Sequence, residues 1–295
     1  MSIHVREIAA SMRKKYTIPT YFAFGWLGFA VFLAVFGSFI PIDGYQVIHG
    51  DFIDSPPFTS GHWFGVDSNG YDILSGIING ARLSIFIAVV SVGLGGFIGS
   101  LLGVTAAYYR GRYDSVVNTA FNVVLSVPNL VLALALVAVL ATNVDINEAV
   151  PTWRRLITLV MSLTIVIIPI LGRIARAATL AWSGREFIVA ARSMGMRDRH
   201  IISRHIVPNV LPALIAVGFL AVGVVIIAEA SLSLLGVGIP DGASWGGMIA
   251  RGRNDLEYNP HALYIPIIAL AFTVISTNHV GDVLRGKLDR REGRL

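Results

Sequence analysis

The chain has 295 residues, of which 55% are hydrophobic and only 14% are charged. Soluble domains carry about 25% charged residues, so this composition excludes an ordinary soluble protein and indicates a membrane protein. Cysteine is absent, which excludes disulfides and thiolate metal sites, and we attribute the net charge of +5 to cytoplasmic loops rather than to nucleic-acid binding.

Six apolar segments are long enough to cross the ~30 Å hydrocarbon core of a bilayer. The first is too long for a signal-peptide core and lacks a clear cleavage site, so we interpret it as a retained anchor. Eighteen of the 23 Lys and Arg residues lie in the two terminal tails and in two of the loops. The positive-inside rule therefore predicts that both termini are cytoplasmic. The six segments are 20–42, 83–109, 116–141, 156–180, 207–235 and 263–281.

The outer loop between the first two spans begins irregularly around Pro56 and Pro57 and ends in a helical pattern. Its apolar residues recur at helical spacing and predict a helix that lies on the outer membrane face. These residues are Ile73, Leu74, Ile77, Ile78 and Ala81.

Small residues and prolines mark the next three spans. Gly95, Gly99 and Gly103 follow small-xxx-small spacing, which predicts close contact with another helix. Pro128 and Pro169 each remove one helical hydrogen bond, which predicts either a bend that is used in transport or a static kink.

The stretch 183–208 is the longest strongly polar segment between two spans, with five arginines against Glu186 and Asp198. Ser183 and Glu186 have the spacing of a capping box, and Gly195 is placed to end the helix in a left-handed conformation. The pattern is typical of an amphipathic helix on the membrane surface and equally of a docking helix for a second protein. The apolar stripe of this helix is formed by Phe187, Ala190, Ala191 and Met194.

Glu229 is the one acidic residue inside an apolar span. It follows Val207 by about 33 Å of helix, which places it at the outer interface rather than at the midplane. We therefore expect it to cap or brace a loop and not to relay protons. The apolar run 207–235 exceeds one crossing, so Ser231 to Pro240 is expected to fold back or to lie along the outer surface.

The motifs of ATP binding and of metal catalysis are absent from the sequence. Neither G-x-x-x-x-G-K-[ST] nor H-E-x-x-H occurs, and the seven histidines are scattered. We therefore expect no catalytic residue, no metal site and no cofactor in this chain.

The central loop resembles the EAA loop of binding-protein-dependent ABC importer permeases. The resemblance lies in EFIVAA (186–191), in Gly195 and in RHIVPN (204–209). One residue departs from the motif, because Val189 stands where it has a glutamate. The resemblance thus implies docking on an ATPase, but no salt bridge from position 189.

Two outer segments narrow the resemblance to the C-type subunit of the oligopeptide, dipeptide and nickel group. They are GVDSNGYDILSGIINGARLS (65–84) and EASLSLLGVGIPDGASWGGMI (229–249). Tyr71 departs from this group, in which arginine is frequent at that place. With the central loop, the similar segments extend from about residue 62 to the tail.

The resemblance implies an all-α, multi-pass cell-membrane protein with the type I ABC importer permease fold. Six transmembrane helices are expected, with the second to sixth as a core and the first at the periphery. The implied division is a cytoplasmic tail 1–19, a first span with its outer loop 20–82, a core 83–283 that contains the coupling loop 183–208, and a basic cytoplasmic tail 284–295.

The resemblance also implies an importer of several chains. A homologous permease would complete a heterodimer, two ATPase subunits or domains would bind ATP and magnesium, and an external binding protein would deliver di- or oligopeptides or a related small solute. The coupling helix 184–195 is expected to dock on the ATPase through Glu186, Phe187, Ala190, Ala191, Arg192, Met194, Gly195, Arg197 and Pro208. The outer turns are expected to face the binding protein at Asp67, Asp72, Glu229, Ser231 and Trp245.

Two functions of other classes stay open from the residues alone. An ion-coupled secondary transporter would require inverted halves and charged or broken helices at the midplane, where Glu229 is badly placed. A membrane scaffold that recruits cytoplasmic proteins would explain 183–208 but not the outer segments. A transport assay would distinguish the three functions. ATP-dependent uptake would indicate the importer, uptake driven by a proton gradient alone the secondary transporter, and no uptake the scaffold.

Overall fold

The computed structural model describes residues 17–42, 44–141, 151–239 and 244–292. Regular structure in these ranges is helical, with isolated β-bridges in the outer loop. A π-helical turn, Ile202–Ile206, directly precedes the helix that begins at Val207. The helices in chain order are α1 (Thr17–Phe36), α2 (Ile73–Tyr109), α3 (Gly111–Leu125), α4 (Asn129–Ala141), α5 (Thr152–Ser183), α6 (Glu186–Ser193), α7 (Asp198–Ile201), α8 (Val207–Leu234), α9 (Trp245–Gly252) and α10 (Pro260–Glu292).

Within the described residues, five helices are long and apolar enough to cross a membrane, and α3 with α4 forms a sixth candidate span. The six predicted segments fall on these helices, so the prediction of an all-α membrane protein is confirmed. The five are Ile18–Phe39, Ile73–Tyr109, Thr152–Ser183, Asp198–Leu234 and Pro260–Lys287.

The third span is broken by a bend of 88° between α3 and α4. Pro128 lacks a backbone N–H, and in a continuous helix its ring would clash with the carbonyl of the preceding turn. α3 therefore ends at Leu125, and the Leu132 N–H begins the new helix by donating to the Pro128 carbonyl at 3.0 Å. The other helices continue through Pro169 and Pro212, so proline alone does not decide where a span breaks.

The second span begins ten residues earlier than the sequence suggested. Asp72 caps α2 by accepting the Ser75 N–H at 2.7 Å, and the helix then runs unbroken for 37 residues. The expected separate helix on the membrane face is therefore wrong, and the implied boundary at residue 83 falls inside α2. Its apolar stripe is covered by Trp245, Met248 and Ala262 instead of lipid.

Close packing of α2 on α5 follows the predicted glycine spacing. A Cβ on Gly99 would overlap the backbone of Ile168, and one on Gly103 would overlap the backbone of Gly172. Gly95 meets Ile167, where an added Cβ would lie 2.8 Å from Cγ2. The two helices thus approach at backbone distance, which confirms the small-xxx-small prediction.

α1 lies at the edge of the helical bundle against α10. Two hydrogen bonds join them: the Trp26 Nε1–H donates to Thr273 Oγ1 at 2.9 Å, and Thr20 Oγ1 lies 2.9 Å from His279 Nε2. The outward residues of α1 are large and apolar, as expected of a surface that faces lipid. The main apolar core lies between α2, α5 and α8.

Candidate functional site

The docking loop, defined here as residues 183–208, folds as α6, α7 and the π-helical turn. α6 starts after Arg185, whose side chain makes no capping hydrogen bond. The Ser183 hydroxyl instead donates to the Leu180 carbonyl at 3.2 Å. The predicted capping box with Glu186 is therefore wrong, because Ser183 still belongs to α5 and serves the end of that helix. Glu186 is exposed in the first turn of α6.

Gly195 ends α6 in the predicted left-handed conformation, with φ of +78°. The Met196 N–H donates to the Ala191 carbonyl at 3.1 Å, and the Gly195 N–H donates to the Arg192 carbonyl at 3.0 Å. These two bonds form a Schellman motif, in which the chain reverses within two residues. The prediction of a left-handed cap is confirmed, and the cap gives the loop a fixed shape.

The two faces of α6 have different surroundings. Ile188 and Ala191 are buried, at 1% and 4% exposure. Phe187, Ala190 and Met194 are exposed on the other side, and Met194 reaches 77%. The predicted apolar stripe is therefore only partly buried. The larger Ile188 faces inward, and Ala191, which lies on the same side of the helix, is buried with it. The inward pair packs against Val104, Tyr108, Ala175, Ile201, Ile206 and Val210.

The basic side chains of the docking loop have specific places. The Arg185 guanidinium lies 5.2 Å from the Trp182 ring centroid, and that of Arg192 lies 5.1 Å from the Tyr108 ring centroid. Arg197 is exposed, and its carbonyl accepts the first hydrogen bonds of α7. Pro208 is exposed in the first turn of α8. The loop thus presents both positive charge and an apolar face.

At the other end of the bundle, Asp67 and Asp72 are turned inward, at 8% and 7% exposure. Asp67 Oδ1 accepts the N–H groups of Asn69 and Tyr71 at 3.0 and 2.8 Å. Burial raises the pKa of the Asp67 carboxyl, and the Tyr71 N–H and Arg251 oppose that rise. These carboxylates organise the loop, so neither presents a free surface to an external protein.

Asp72 joins the outer loop to α2. Besides capping the helix, its Oδ2 lies 2.7 Å from Nδ1 of His62. His62 is itself buried, at 7% exposure, and its ring lies 4.6 Å from that of His49. The loop is therefore folded onto the start of a membrane helix.

Tyr71 forms part of an aromatic stack. Its ring lies 5.4 Å from that of Tyr45, with 26° between the planes. The Arg251 guanidinium lies 5.6 and 5.7 Å from the two ring centroids and 3.8 Å from Asp67. Positive charge therefore does reach this place, from α9 rather than from position 71. Sequence reasoning missed Tyr45 and Arg251, which are distant from Tyr71 along the chain.

Glu229 braces the outer turn, as expected. It is fully buried in α8, and its Oε1 accepts hydroxyl hydrogen bonds from Ser233 at 3.0 Å and Ser244 at 2.8 Å. Ser244 also caps α9 by accepting the Gly247 N–H at 3.0 Å. The carboxyl group thus ties the end of one helix to the start of the next. Ser231 instead donates to the Ile227 carbonyl of its own helix at 2.8 Å.

Trp245 is the largest fully buried side chain, at 1% exposure. Its Nε1–H donates to the Ile77 carbonyl at 3.0 Å, and its backbone N–H donates to Ser84 Oγ at 3.1 Å. It therefore locks α9 to α2. The neighbouring part of the predicted outer turn, 240–243, lies outside the described residues. Ser84 was missed by the sequence reasoning, although a serine in an apolar span was an available signal.

Comparisons with known proteins agree with the observed helices. Residues 95–294 match the family model described as "Binding-protein-dependent transport system inner membrane component". The chain is 35% identical over 251 residues to the glutathione transport system permease protein GsiD of Pectobacterium atrosepticum, covering 85% of this chain and 79% of that protein. It is 34% identical over 261 residues to the GsiD protein of Shigella dysenteriae, covering 88% and 82%.

Among solved structures, the chain resembles one of the inward-facing conformations of the MetNI methionine ABC transporter. The TM-score is 0.57 at 19% identity, and the match covers 72% of this chain and 97% of that one. At this identity the likeness concerns the fold, which is the type I importer permease fold expected from the sequence.

Proposed function

Since this chain belongs to the family of binding-protein-dependent transport system inner membrane components, we propose that the solute it helps to import is a small peptide. It is a multi-pass inner-membrane permease subunit of an ABC importer, and ATP hydrolysis belongs to separate ATPase subunits. Peptide cargo is supported by the relatives named as glutathione permeases, since glutathione is a tripeptide. The outer segments 65–84 and 229–249 support the same substrate class.

The docking loop is the proposed contact with the ATPase, and one observation carries this assignment. A short helix, fixed by its inner face and closed by Gly195, presents Phe187, Ala190 and Met194 to the outside at the predicted cytoplasmic end. An exposed apolar face of this kind marks a contact with another protein or with the membrane surface, and membership of a family whose ATPases are separate subunits favours the protein contact. A groove on the ATPase would bury this face, with acidic residues around it to meet the exposed arginines.

Coupling then follows from the connection between the docking loop and α8. Closure of the ATPases on ATP moves α6 as a rigid body, and the π-helical turn Ile202–Ile206 leads without interruption into α8. Single π turns inside helices frequently mark functional sites. Pro208 and Pro212 follow at once and leave carbonyls of the preceding turn without helical donors. This region is the proposed hinge between docking and transport.

The remaining partners follow from the same assignment. A homologous permease completes a heterodimer around the solute path, and a binding protein delivers the peptide to the outer face. Asp67, Asp72, Glu229 and Trp245 support that face from within rather than by direct contact. The exposed residues above them, such as Phe58 and Trp63, at 81% and 64% exposure, are the proposed contacts.

The deciding experiment is transport by the reconstituted importer. The chain is purified with candidate partner permease, ATPase and binding-protein subunits and is placed in vesicles. We expect ATP-dependent uptake of labelled glutathione or of a dipeptide, and no uptake when the binding protein is omitted. Uptake driven by a proton gradient alone would contradict the proposal of an ATP-driven importer. ATP-dependent uptake of nickel, with no uptake of either peptide, would contradict the proposal of peptide cargo.

Docking has a test that does not depend on the substrate. Met194→Glu places a charge on the exposed face of α6 and is expected to abolish retention of the ATPase on the purified permease. His200→Glu is the matched control, since it adds the same charge at an exposed position of the same loop outside that face and leaves the arginines unchanged. Normal ATPase retention by Met194→Glu would contradict the proposed contact.

A further inference from the structure

Tyr108 lies where the docking loop meets the inner end of a membrane helix. It belongs to the last turn of α2 and is 6% exposed. Its hydroxyl donates to Asp198 Oδ1 at 2.6 Å, and its ring lies 5.1 Å from the Arg192 guanidinium. Arg192 belongs to α6 and Asp198 to α7. One side chain of the membrane domain therefore contacts both helices of the docking loop.

These polar contacts lie above an apolar contact. Ile188 and Ala191 of α6 pack into the same cluster as Val104, Tyr108 and Ala175. Apolar contact is not directional, so it holds α6 against the bundle without fixing its rotation. A hydrogen bond and a cation–π contact depend on orientation. Tyr108 therefore supplies directional contacts to both α6 and α7, whereas the contact of Arg185 with Trp182 reaches only the start of α6.

The helix that carries Tyr108 is not free to move alone. Within two turns of it, Gly103 of α2 lies against the backbone of Gly172 in α5 at a distance that excludes a Cβ. α5 is joined in turn to α3 by a bidentate ion pair, in which Arg176 Nε and Nη2 donate to the Asp114 carboxylate at 2.6 and 2.7 Å. A displacement of Tyr108 would therefore be transmitted from α2 to α5 and α3.

The docking loop is joined covalently to the membrane domain at both of its ends, to α5 at Gly184 and through the π-helical turn to α8. A third attachment is non-covalent and leads through Tyr108 into α2 and its neighbours. Movement passed to α5 and α8 alone would leave α6 able to rotate on its apolar cluster. Transmission of a rigid-body motion to α2 requires the attachment through Tyr108 as well.

We propose that Tyr108 is a positioning residue that holds the docking loop in one orientation against α2 by contacting both Arg192 and Asp198. This inference rests on the proposed function of the loop as the ATPase contact. In its absence the ATPase would still bind, because the exposed face of α6 is unchanged. Hydrolysis would then continue while less of the motion reached the membrane helices.

The test removes one oxygen atom. Tyr108→Phe keeps the ring and its cation–π contact with Arg192 and loses what the hydroxyl provides, the bond to Asp198 and its polar contact with Arg192. A hydrogen bond to a charged group corresponds to about a tenfold change in an equilibrium, so we expect uptake of labelled glutathione per ATP hydrolysed to fall by about that factor. ATPase retention should be unchanged. Tyr109→Phe is the matched control: it is the adjacent residue, 54% exposed, and should behave as the unmodified chain.

A second measurement uses the purified permease without partners or substrate. Hydrogen exchange of the α6 and α7 amides is expected to rise by about tenfold in Tyr108→Phe, the same free-energy change, and not in Tyr109→Phe. Asp198→Ala removes the acceptor without touching the buried ring and should give a similar rise. The double variant should be no worse than Tyr108→Phe alone, because the contact with Asp198 is already lost there.

The outcomes separate this inference from the function on which it rests. If the assembled importer shows no ATP-dependent uptake before any substitution, the proposed function fails, and the exchange measurement still decides whether Tyr108 fixes the loop. If Tyr108→Phe keeps normal exchange in α6 and α7, or normal uptake per ATP, Tyr108 does not position the loop. Faster exchange with poorer coupling, absent from Tyr109→Phe, supports it.

Discussion

The left-handed glycine at the end of α6 provides a sharp test of the coupling mechanism. Gly195 has a φ of +78°, and a Cβ added there would meet no heavy atom within 4 Å. Substitution therefore strains the backbone without creating a clash. A residue with a side chain costs roughly 1–2 kcal/mol in this conformation, and β-branched side chains are among the least suited to it.

Gly195→Val is expected to shift the equilibrium between closed and open forms of the helix end by a factor of about 5–30. The Met196 amide, which donates to the Ala191 carbonyl at 3.1 Å, should exchange with solvent faster by the same factor. The docking loop would lose its fixed shape, so transport should fall and ATP hydrolysis should become uncoupled. Membrane insertion should be normal, because the spans are untouched.

Gly184→Val is the matched control for this substitution. Gly184 also ends a helix, α5, and a Cβ there also meets nothing within 4 Å. Its φ is −89°, which any residue adopts, so valine adds no comparable strain. Hydrogen exchange and uptake per ATP are measured for both variants at equal abundance. Equal behaviour of the two variants would refute the role of the left-handed cap.

Three further predictions concern the membrane domain and the outer loop. Gly103→Ala should separate α2 from α5 and destabilise the permease by about 1–3 kcal/mol, whereas Gly93→Ala, on an open side of the same helix, should leave its thermal unfolding unchanged. Glu229→Ala should lose about 1–3 kcal/mol, since the hydroxyls that it accepts stay buried, and Ser231→Ala should cost less in the same unfolding assay. Burial raises the pKa of the Asp67 carboxyl in the folded protein. The contribution of Asp67 to stability is therefore fully present below its pKa in the unfolded chain, about 3.9, and is lost as the pH rises through its pKa in the folded protein. Proteolysis of the outer loop should accordingly quicken across that window, and Asp67→Asn should remove this pH dependence.

The sequence identified the helices of this protein well because hydropathy and length act locally. Each predicted span coincides with a helix or, around Pro128, with a bent pair of helices. The left-handed Gly195 and the close approach at Gly103 were also predictable. In both cases the lack of a Cβ is what the position requires, for a positive φ at Gly195 and for close helix contact at Gly103. Glycines with these roles can be recognised from their spacing over a few residues.

The ends of the helices were less predictable. Ser183 and Glu186 had the spacing of a capping box, but Ser183 remains in α5 and bonds backward. α2 starts at Ile73 rather than near residue 83. In both places two local patterns compete. At residue 183 the longer helix prevails because the Ser183 hydroxyl bonds within it, and at residue 83 it prevails because the distant Trp245 bonds to Ile77 and Ser84.

The direction in which each site residue points was decided by tertiary packing. Ala191 and Phe187 share one apolar stripe in the sequence, but the cluster around Tyr108 covers only the former. Asp67 and Asp72 occur in a polar outer turn and still face inward. Periodicity shows that a helix has an apolar face, while the neighbouring helices determine which part of it remains open to a partner.

By itself, the sequence determined the class of the protein, its membrane helices and its family, and it marked residues 183–208 as the candidate contact with a partner. Only the tertiary structure decided which face of α6 is exposed, that Glu229 ties α8 to α9, and that Tyr108 joins the loop to α2. The physical reason is the range of the interactions. Burial along a helix is encoded within a few turns, whereas these contacts join residues that only the folded chain brings together.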